Sequence, residues 1–114
     1  MENKDQQRIF QKQIGETMRA IWNNEIIAEA DQTLVVEGKH YFPQEAVKVE
    51  YLSPSDYCLE CPVKGLAKYY NLEVSGKDLL NAAWYYPNPK EEAVQITGYL
   101  AFSDEVKVIE PEQA

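Results

Sequence analysis

The sequence is poor in the residues on which common catalytic and metal-binding motifs depend. Its 114 residues include one histidine, two cysteines and five glycines. The patterns G-x-x-x-x-G-K-[ST], G-x-G-x-x-G, H-E-x-x-H and G-x-S-x-G do not occur. The familiar nucleotide-binding and hydrolase motifs are therefore excluded, and the length is that of one domain.

Long apolar runs and an excess of positive charge are also missing. The apolar stretches span a few residues, whereas a membrane helix needs about 20, and the first twenty residues contain no apolar segment of a secretory signal. We therefore expect a cytoplasmic protein. Lys plus Arg number 11 against 19 Asp plus Glu, which gives a net charge of −8. This charge repels nucleic acids and anionic membranes, so we expect neither as a partner.

The two cysteines form a C-x-x-C pair, Cys58 and Cys61, which we expect to be reduced in a cytosol. A zinc site needs four ligands. The two cysteines and His40 would supply three, so that a carboxylate would have to be the fourth. A redox pair of the thioredoxin type opens a helix, whereas Pro62 and Gly65 here predict a loop between strands. We therefore expect no metal and no cofactor.

What the sequence does contain is a β pattern in a composition typical of folded proteins, 45% hydrophobic and 26% charged. Short runs with a period of two, separated by turn residues, predict about eight or nine antiparallel strands and a mainly β domain at residues 17–110. The predicted strands cover residues 20–22, 26–30, 34–36, 47–51, 67–74, 79–86 and 99–109, the last one interrupted by a turn. The asparagine pair at 23–24 predicts a tight hairpin turn.

Two helices are predicted outside this β pattern. Phe10, Ile14 and Met18 recur at helical spacing, so residues 1–16 are interpreted as a helical or flexible extension. Residues 88–98 carry helix start and stop signals, with a capping asparagine followed by proline and a final glycine. Residues 111–114 are interpreted as a solvated tail.

Aromatic residues are concentrated in the middle of the chain. Eleven of the thirteen lie between positions 41 and 102. Such a cluster forms either a core with internal polar contacts or the wall of a pocket, because buried Tyr and Trp side chains carry polar groups that need partners.

Four blocks of residues carry a family resemblance. They are Tyr41-Phe42-Pro43, Cys61-Pro62-x-Lys64-Gly65-x-Ala67-x-Tyr69-Tyr70, Ala82-Ala83-Trp84-x-Tyr86-Pro87-x-Pro89 and Gly98-Tyr99-x-Ala101-Phe102. In order and spacing they resemble the bacterial family called domain of unknown function 427. The resemblance implies a small antiparallel β protein, related to tent-shaped folds that elsewhere carry a zinc ribbon, with the zinc lost. The family is sometimes labelled nucleotidyltransferase-like, but this sequence lacks the spaced acidic metal ligands of such enzymes.

The resemblance also implies a shared set of site residues. The shared positions, which we expect to border a common cleft as ligand-binding candidates, are Tyr41, Cys61, Lys64, Tyr69, Trp84 and Tyr86. The chain departs from the family pattern at Leu59 and Val63, where the family usually has a threonine and an aromatic residue. Cys58 falls outside the pattern, which argues against a functional cysteine pair.

The sequence is compatible with three functions. The first is binding of a small planar or anionic ligand in an aromatic cleft with Lys64 and Cys61 as polar contacts. The second is a protein-interaction or structural module without a small-molecule site, with an unknown protein partner. The third is an enzyme that uses Cys61 as a nucleophile activated by Lys64, the alternative being an inert thiol. Whether the protein is an enzyme is left undecided.

Overall fold

The computed structural model describes residues 10–13 and 17–111, and these form ten strands and three short 3-10 helices. The strands are β1 (Phe10–Gln13), β2 (Met18–Trp22), β3 (Glu25–Ala30), β4 (Thr33–Val36), β5 (Lys39–Pro43), β6 (Leu52–Cys61), β7 (Gly65–Val74), β8 (Lys77–Tyr85), β9 (Tyr99–Phe102) and β10 (Lys107–Ile109). The 3-10 helices cover Gln44–Ala46, Val49–Tyr51 and Glu91–Ile96. None of the helices in this described part is long and apolar enough to cross a membrane.

The strands assemble into two sheets in which every neighbouring pair is antiparallel. The larger sheet has seven strands in the order β1-β4-β5-β9-β8-β7-β6, and the smaller has the order β10-β2-β3. Hairpins of consecutive strands account for four of the eight pairings among the described strands. The predicted mainly β, antiparallel fold is therefore confirmed.

The predicted turn at Asn23-Asn24 joins β2 and β3. Both residues have positive φ angles, 51° and 65°, and Trp22 pairs with Glu25 directly across the turn. Two left-handed residues suit the twist of a two-residue hairpin, and asparagine tolerates that conformation better than most residues. The turn chemistry thus fixes the register of β2 and β3 next to the turn, as far as the irregularity between Ala20 and Ile21.

The main core lies between the two sheets. Its fully buried side chains include Phe42 and Phe102, whose rings meet edge to face with centroids 5.7 Å apart, and Ile27 from the smaller sheet. We call the side of the seven-stranded sheet that contributes Phe42, Leu72, Ala83, Leu100 and Phe102 the inner face. The burial of these apolar side chains supplies most of the driving force for folding.

The expected strand at residues 47–51 is wrong. Val47 makes only an isolated bridge to Ala28, and Val49–Tyr51 forms a 3-10 helix in which Val49 is 67% exposed. The amide of Lys48 donates to the carbonyl of Ile27 at 2.8 Å, after which the chain turns away. Five residues of alternating pattern were too few to specify a strand without a partner along their length.

The helix expected at residues 88–98 is also wrong in type and start. It is a 3-10 segment, Glu91–Ile96, with a kink at Ala93. The amide of Lys90 donates to the carbonyl of Lys64 at 2.9 Å, which holds the preceding residues against the β6–β7 turn. Ala93 and Ile96 are both buried, and their spacing of three matches the 3-10 period. Tertiary contacts therefore override the capping signal.

The N-terminal helix is wrong where the structure describes it, because Phe10–Gln13 is strand β1, paired with β4. Met18 begins β2 and is buried in the main core, while Ile14 lies outside the described residues. Pairing with a preformed strand satisfies the backbone better than a short helix with a glycine nearby. The sequence pattern predicts no strand at residues 52–61, yet they form the long strand β6.

Candidate functional site

The opposite side of the seven-stranded sheet holds the candidate residues. We call it the aromatic face, and its members are Leu34, Val36, Tyr41, Cys61, Ala67, Tyr69, Trp84, Tyr86, Tyr99 and Ala101, capped by Ala93 and Ile96. Tyr69 pairs with Trp84, and Trp84 pairs with Ala101, so these side chains form a row across three strands. Side chains alternate between the faces of a sheet, which separates this row from the inner face.

Two tyrosines and a tryptophan form a polar group in this face. The indole Nε1 of Trp84 donates to the hydroxyl of Tyr41 at 3.2 Å. Burial raises the pKa of Tyr41, despite the opposing effects of Trp84 and the nearby Lys64. Burial, and then the neighbouring Tyr41, also raise the pKa of Tyr86. Both phenols are therefore protonated hydrogen-bonding groups and do not serve as bases near neutral pH.

Lys64 is a buried cation with one close partner. The residue is 7% exposed, and its Nζ lies 2.7 Å from Oε1 of Glu37, whose side chain is largely in solvent. Burial alone would lower the pKa of Lys64, but the hydrogen bond and charge of Glu37 outweigh it, so this pKa is raised. The Lys64 ammonium is thus charged and already paired with the Glu37 carboxylate.

Cys61 ends β6 next to this cation. Its Sγ accepts the backbone N–H of Lys64 at 3.4 Å. Burial opposes ionisation, but the backbone N–H groups of Lys64 and Val63 and the ammonium of Lys64 outweigh it, so the pKa of Cys61 is lowered. The half-buried thiol therefore favours its thiolate form more than an ordinary cysteine does.

The glycine after Lys64 is required by the same turn. Gly65 has φ of +113°, which side chains rarely adopt, and a Cβ at this position would lie 3.3 Å from the carbonyl oxygen of Asn88. The segment that follows β8 therefore packs directly on the turn that carries Cys61 and Lys64.

Cys58 takes no part in the site. It is exposed and pairs with Lys68, while Cys61 pairs with Gly65. Three residues of extended strand separate the two Cα atoms by about 10 Å, which is beyond the reach of a disulfide. The C-x-x-C spacing therefore does not make a redox pair in this fold.

A line of three rings crosses the open part of the face. The rings of Tyr57 and Tyr69 meet edge to face at 4.9 Å, and those of Tyr69 and Trp84 lie 5.9 Å apart. The ammonium of Lys39 lies 5.3 Å from the centroid of the Trp84 ring, within cation–π range. The same ammonium donates to the carbonyl of Phe102 and to Asp104 at 2.7 and 3.0 Å.

The six predicted residues thus lie on or beside one face of one sheet, with Lys64 in the β6–β7 turn and Tyr86 just after β8. They divide into two groups by burial. Tyr41, Lys64 and Tyr86 are buried, whereas Cys61, Tyr69 and Trp84 reach solvent in part. The prediction missed three members of the arrangement, Glu37, Lys39 and Tyr57. No motif marks them, because their contacts to Lys64, Trp84 and Tyr69 join residues at least 12 positions apart.

His40 lies apart from this site. Its Nδ1 is 2.6 Å from the hydroxyl of Thr33, and burial lowers its pKa. It precedes Tyr41 on β5 and so points to the other side of the sheet. Among the described residues, no three His, Cys, Asp or Glu side chains are grouped as a metal ion would require.

A cavity of about 370 Å³ lies elsewhere, against the smaller sheet. Its lining includes Trp22, the Asn23-Asn24 turn, Glu105 and Lys107, and none of the six candidates. This cavity and the group of perturbed side chains are therefore in different places. We assign the candidate site to the aromatic face, because a buried lysine paired with a carboxylate, a cysteine of lowered pKa and partly exposed rings lie together there.

Fold and face together define a small antiparallel β protein with an aromatic surface and a thiol beside a buried cation. The family model for the domain of unknown function DUF427 matches residues 11–112. The chain therefore belongs to this family, which confirms the resemblance seen in the four sequence blocks. No curated protein matched the chain.

Proposed function

We propose that the aromatic face binds a small planar ligand that stacks on Tyr69 and Trp84. The observation that carries the proposal is the line of three partly exposed rings, Tyr57, Tyr69 and Trp84, on the open part of the sheet. Exposed aromatic rings are stabilised when they stack on one another or on a planar ligand. The hydroxyl of Tyr41 accepts a hydrogen bond from the indole of Trp84 and so orients that ring.

The charges around the rings favour an uncharged ligand over an anion. Lys64 is buried and paired with Glu37, and Lys39 is paired with Asp104. Neither ammonium is free to receive a phosphate or carboxylate without losing its partner. The net charge of −8 adds a further repulsion. The sequence predicts a planar or an anionic ligand. Of these two classes, the charges favour a planar, uncharged ligand.

Fluorescence of Trp84 tests this proposal, because the chain contains only two tryptophans. In a Trp22→Phe background, adenosine, thymidine and riboflavin are titrated. AMP is the charged comparison, and ribose 5-phosphate is the comparison that lacks an aromatic base. At least one uncharged heterocycle should quench Trp84 fluorescence, and ribose 5-phosphate should not. Quenching by none of the three heterocycles, or binding that follows the phosphate alone, would contradict the proposal.

A matched pair of variants locates the binding. Tyr69→Ala should weaken binding by about tenfold, since stacking contributes about 1–3 kcal/mol per ring. Tyr70→Ala is the control, because Tyr70 is also half-buried and stacks on Tyr85 at 5.2 Å, but packs against the inner-face core. Equal losses in both variants would indicate a general effect on the fold.

Chemistry at Cys61 is the second candidate function, favoured by the backbone N–H and the Lys64 charge at its sulfur. In a Cys58→Ser background, Cys61 is the only thiol, and its alkylation by iodoacetamide can be followed against pH. The reaction should reach its plateau at a lower pH than that of a simple thiol. A profile identical to that of glutathione would remove this candidate.

A further inference from the structure

Strand β6 ends the seven-stranded sheet with an unpaired edge. It runs from Leu52 to Cys61, and in the sheet formed by the described residues it has a neighbour only on the side of β7. Alternate backbone N–H and C=O groups of an edge strand point outward and can pair with another extended chain. Such an edge is a binding surface unless the protein blocks it.

Only the first half of this edge is blocked. Pro54 lacks an N–H, the register shifts between Pro54 and Cys58, and the amide of Tyr57 is taken by the hydroxyl of Ser55 at 3.0 Å. From Cys58 to Cys61 the pairing with β7 is regular. β6 has no lysine or arginine, the residues that usually protect an edge. The open segment is therefore residues 58–61.

The side chains beside this segment differ between its two sides. On the aromatic face, Leu59 is 52% exposed and pairs with the buried Ala67, and Tyr57 nearby is 46% exposed. On the other side, Glu60 is exposed and pairs with Leu66. An added strand would therefore meet apolar groups on one side and a carboxylate on the other.

We propose that residues 58–61 bind an extended segment of a partner protein in which apolar residues alternate with lysine or arginine. Its apolar side chains would lie on Leu59 and Tyr57, and its cations would face Glu60. This mode of binding adds a strand to a sheet, with main-chain hydrogen bonds for affinity and alternate side chains for specificity. Of the residues used here, only Tyr57 also belongs to the line of rings on which the planar ligand is proposed to stack.

A second copy of the chain is a poorer occupant of the same edge. Pairing β6 with itself would bring together two sets of Asp56 and Glu60 with no cation from either strand. Each copy also carries a net charge of −8. Charge repulsion therefore favours a basic partner over self-association.

The test uses a hexapeptide of alternating lysine and valine with blocked ends, titrated into the 15N-labelled full chain. Amide shifts should concentrate at residues 58–61, and a peptide of the same composition with its lysines in one block should bind at least about tenfold more weakly. Two further peptides carry N-methyl groups on the odd-numbered or on the even-numbered amides. One of them should not bind and the other should bind normally, because only every second N–H of an added strand faces the edge.

Variants of the chain complete the test. Leu59→Lys and Glu60→Lys should each weaken binding by about tenfold, whereas Leu80→Lys should not, although Leu80 is also exposed, at 71%. The proposal would be overturned if the block peptide bound as tightly as the alternating one, or if neither N-methylated peptide lost binding. It would also be overturned if all three variants had the same effect. Self-association of the free protein through residues 58–61, measured by sedimentation velocity, would overturn it as well, because the edge would then belong to a second copy.

Discussion

The two faces of the seven-stranded sheet are built by alternate residues of the same strands, yet they are stabilised differently. Tyr41 and Phe42 are neighbours on β5, and Ala83 and Trp84 are neighbours on β8. One of each pair enters the main core and the other enters the aromatic face. The inner face is held by apolar packing, whereas the aromatic face also contains an indole-to-hydroxyl hydrogen bond and a buried lysine paired with an exposed glutamate.

This difference shows where the fold is specified and where a function can reside. Apolar packing tolerates exchanges that conserve volume, whereas buried polar groups must keep their partners. A small domain does not need a buried lysine beside a thiol to fold. The aromatic face, with its paired polar groups, is therefore where the proposed binding site is placed, whereas the inner face is specified by apolar packing.

The largest expected effect is on the inner face. Phe42→Ala removes a fully buried ring that contacts Phe102 and should lower the free energy of unfolding by about 3–5 kcal/mol, through lost burial and a residual cavity. Urea denaturation measures this loss. A loss smaller than that of Tyr41→Phe on the aromatic face would contradict the assignment of the main core.

The next effect concerns the ion pair of the aromatic face. Lys64→Met should lower the free energy of unfolding by about 1–2 kcal/mol. This is less than the full contribution of a charged hydrogen bond, because water can solvate the exposed Glu37 carboxylate once its partner is gone. The same change should raise the pKa of Cys61 towards that of an ordinary thiol. Alkylation of Cys61 against pH in the Cys58→Ser background measures the second effect.

The sign of the pH dependence sharpens this prediction. The pKa of Lys64 is raised above its ordinary value of 10.5, so its contribution to stability is complete below pH 10.5 and is lost as the pH rises through the folded-state pKa. The stability difference between the native chain and Lys64→Met should therefore shrink at alkaline pH. A difference that grows there would show that Lys64 is not held as a cation.

Much of the fold could be predicted from the sequence, because the hairpin turn and the alternating runs are local signals. β2, β3 and β7 lie where the pattern placed them, and the Asn23-Asn24 turn has the expected positive φ angles. β6 was missed because its edge position leaves most of its side chains exposed, which removes the alternation that marks a half-buried strand.

The candidate site could be predicted only as a set of residues. The six shared positions do lie on one face, but nothing in the sequence indicates that Lys64 pairs with Glu37 or that Lys39 lies over Trp84. The contact of Lys39 with Trp84 depends on strand order, in which only β9 separates β5 from β8. The pairing of Lys64 with Glu37 joins the β6–β7 turn to the β4–β5 turn. Long-range pairing of this kind has no local signature.

A smaller effect should follow from removing one hydroxyl. Tyr41→Phe keeps the ring but removes the acceptor for the Trp84 indole, and should cost about 0.5–1.5 kcal/mol, the usual net value of one hydrogen bond. Because Trp84 is half-buried, water can replace part of the lost bond. The fluorescence maximum of Trp84 in the Trp22→Phe background should shift if the indole becomes wetter, and an unchanged spectrum with unchanged stability would indicate that the bond is not formed in solution.

The smallest effect is expected from His40, on the opposite side of β5 from Tyr41. Burial lowers its pKa below the ordinary 6.5, so the folded chain binds fewer protons than the unfolded chain between the two values. Its contribution is present above pH 6.5 and is lost as the pH falls through the folded-state pKa. The native chain should therefore lose stability on acidification through this window more steeply than His40→Gln, measured by urea denaturation at closely spaced pH values. Because Lys64 acts at alkaline pH and His40 at acidic pH, the two sides of the sheet can be titrated separately, and identical acid slopes in the two proteins would place His40 in solvent.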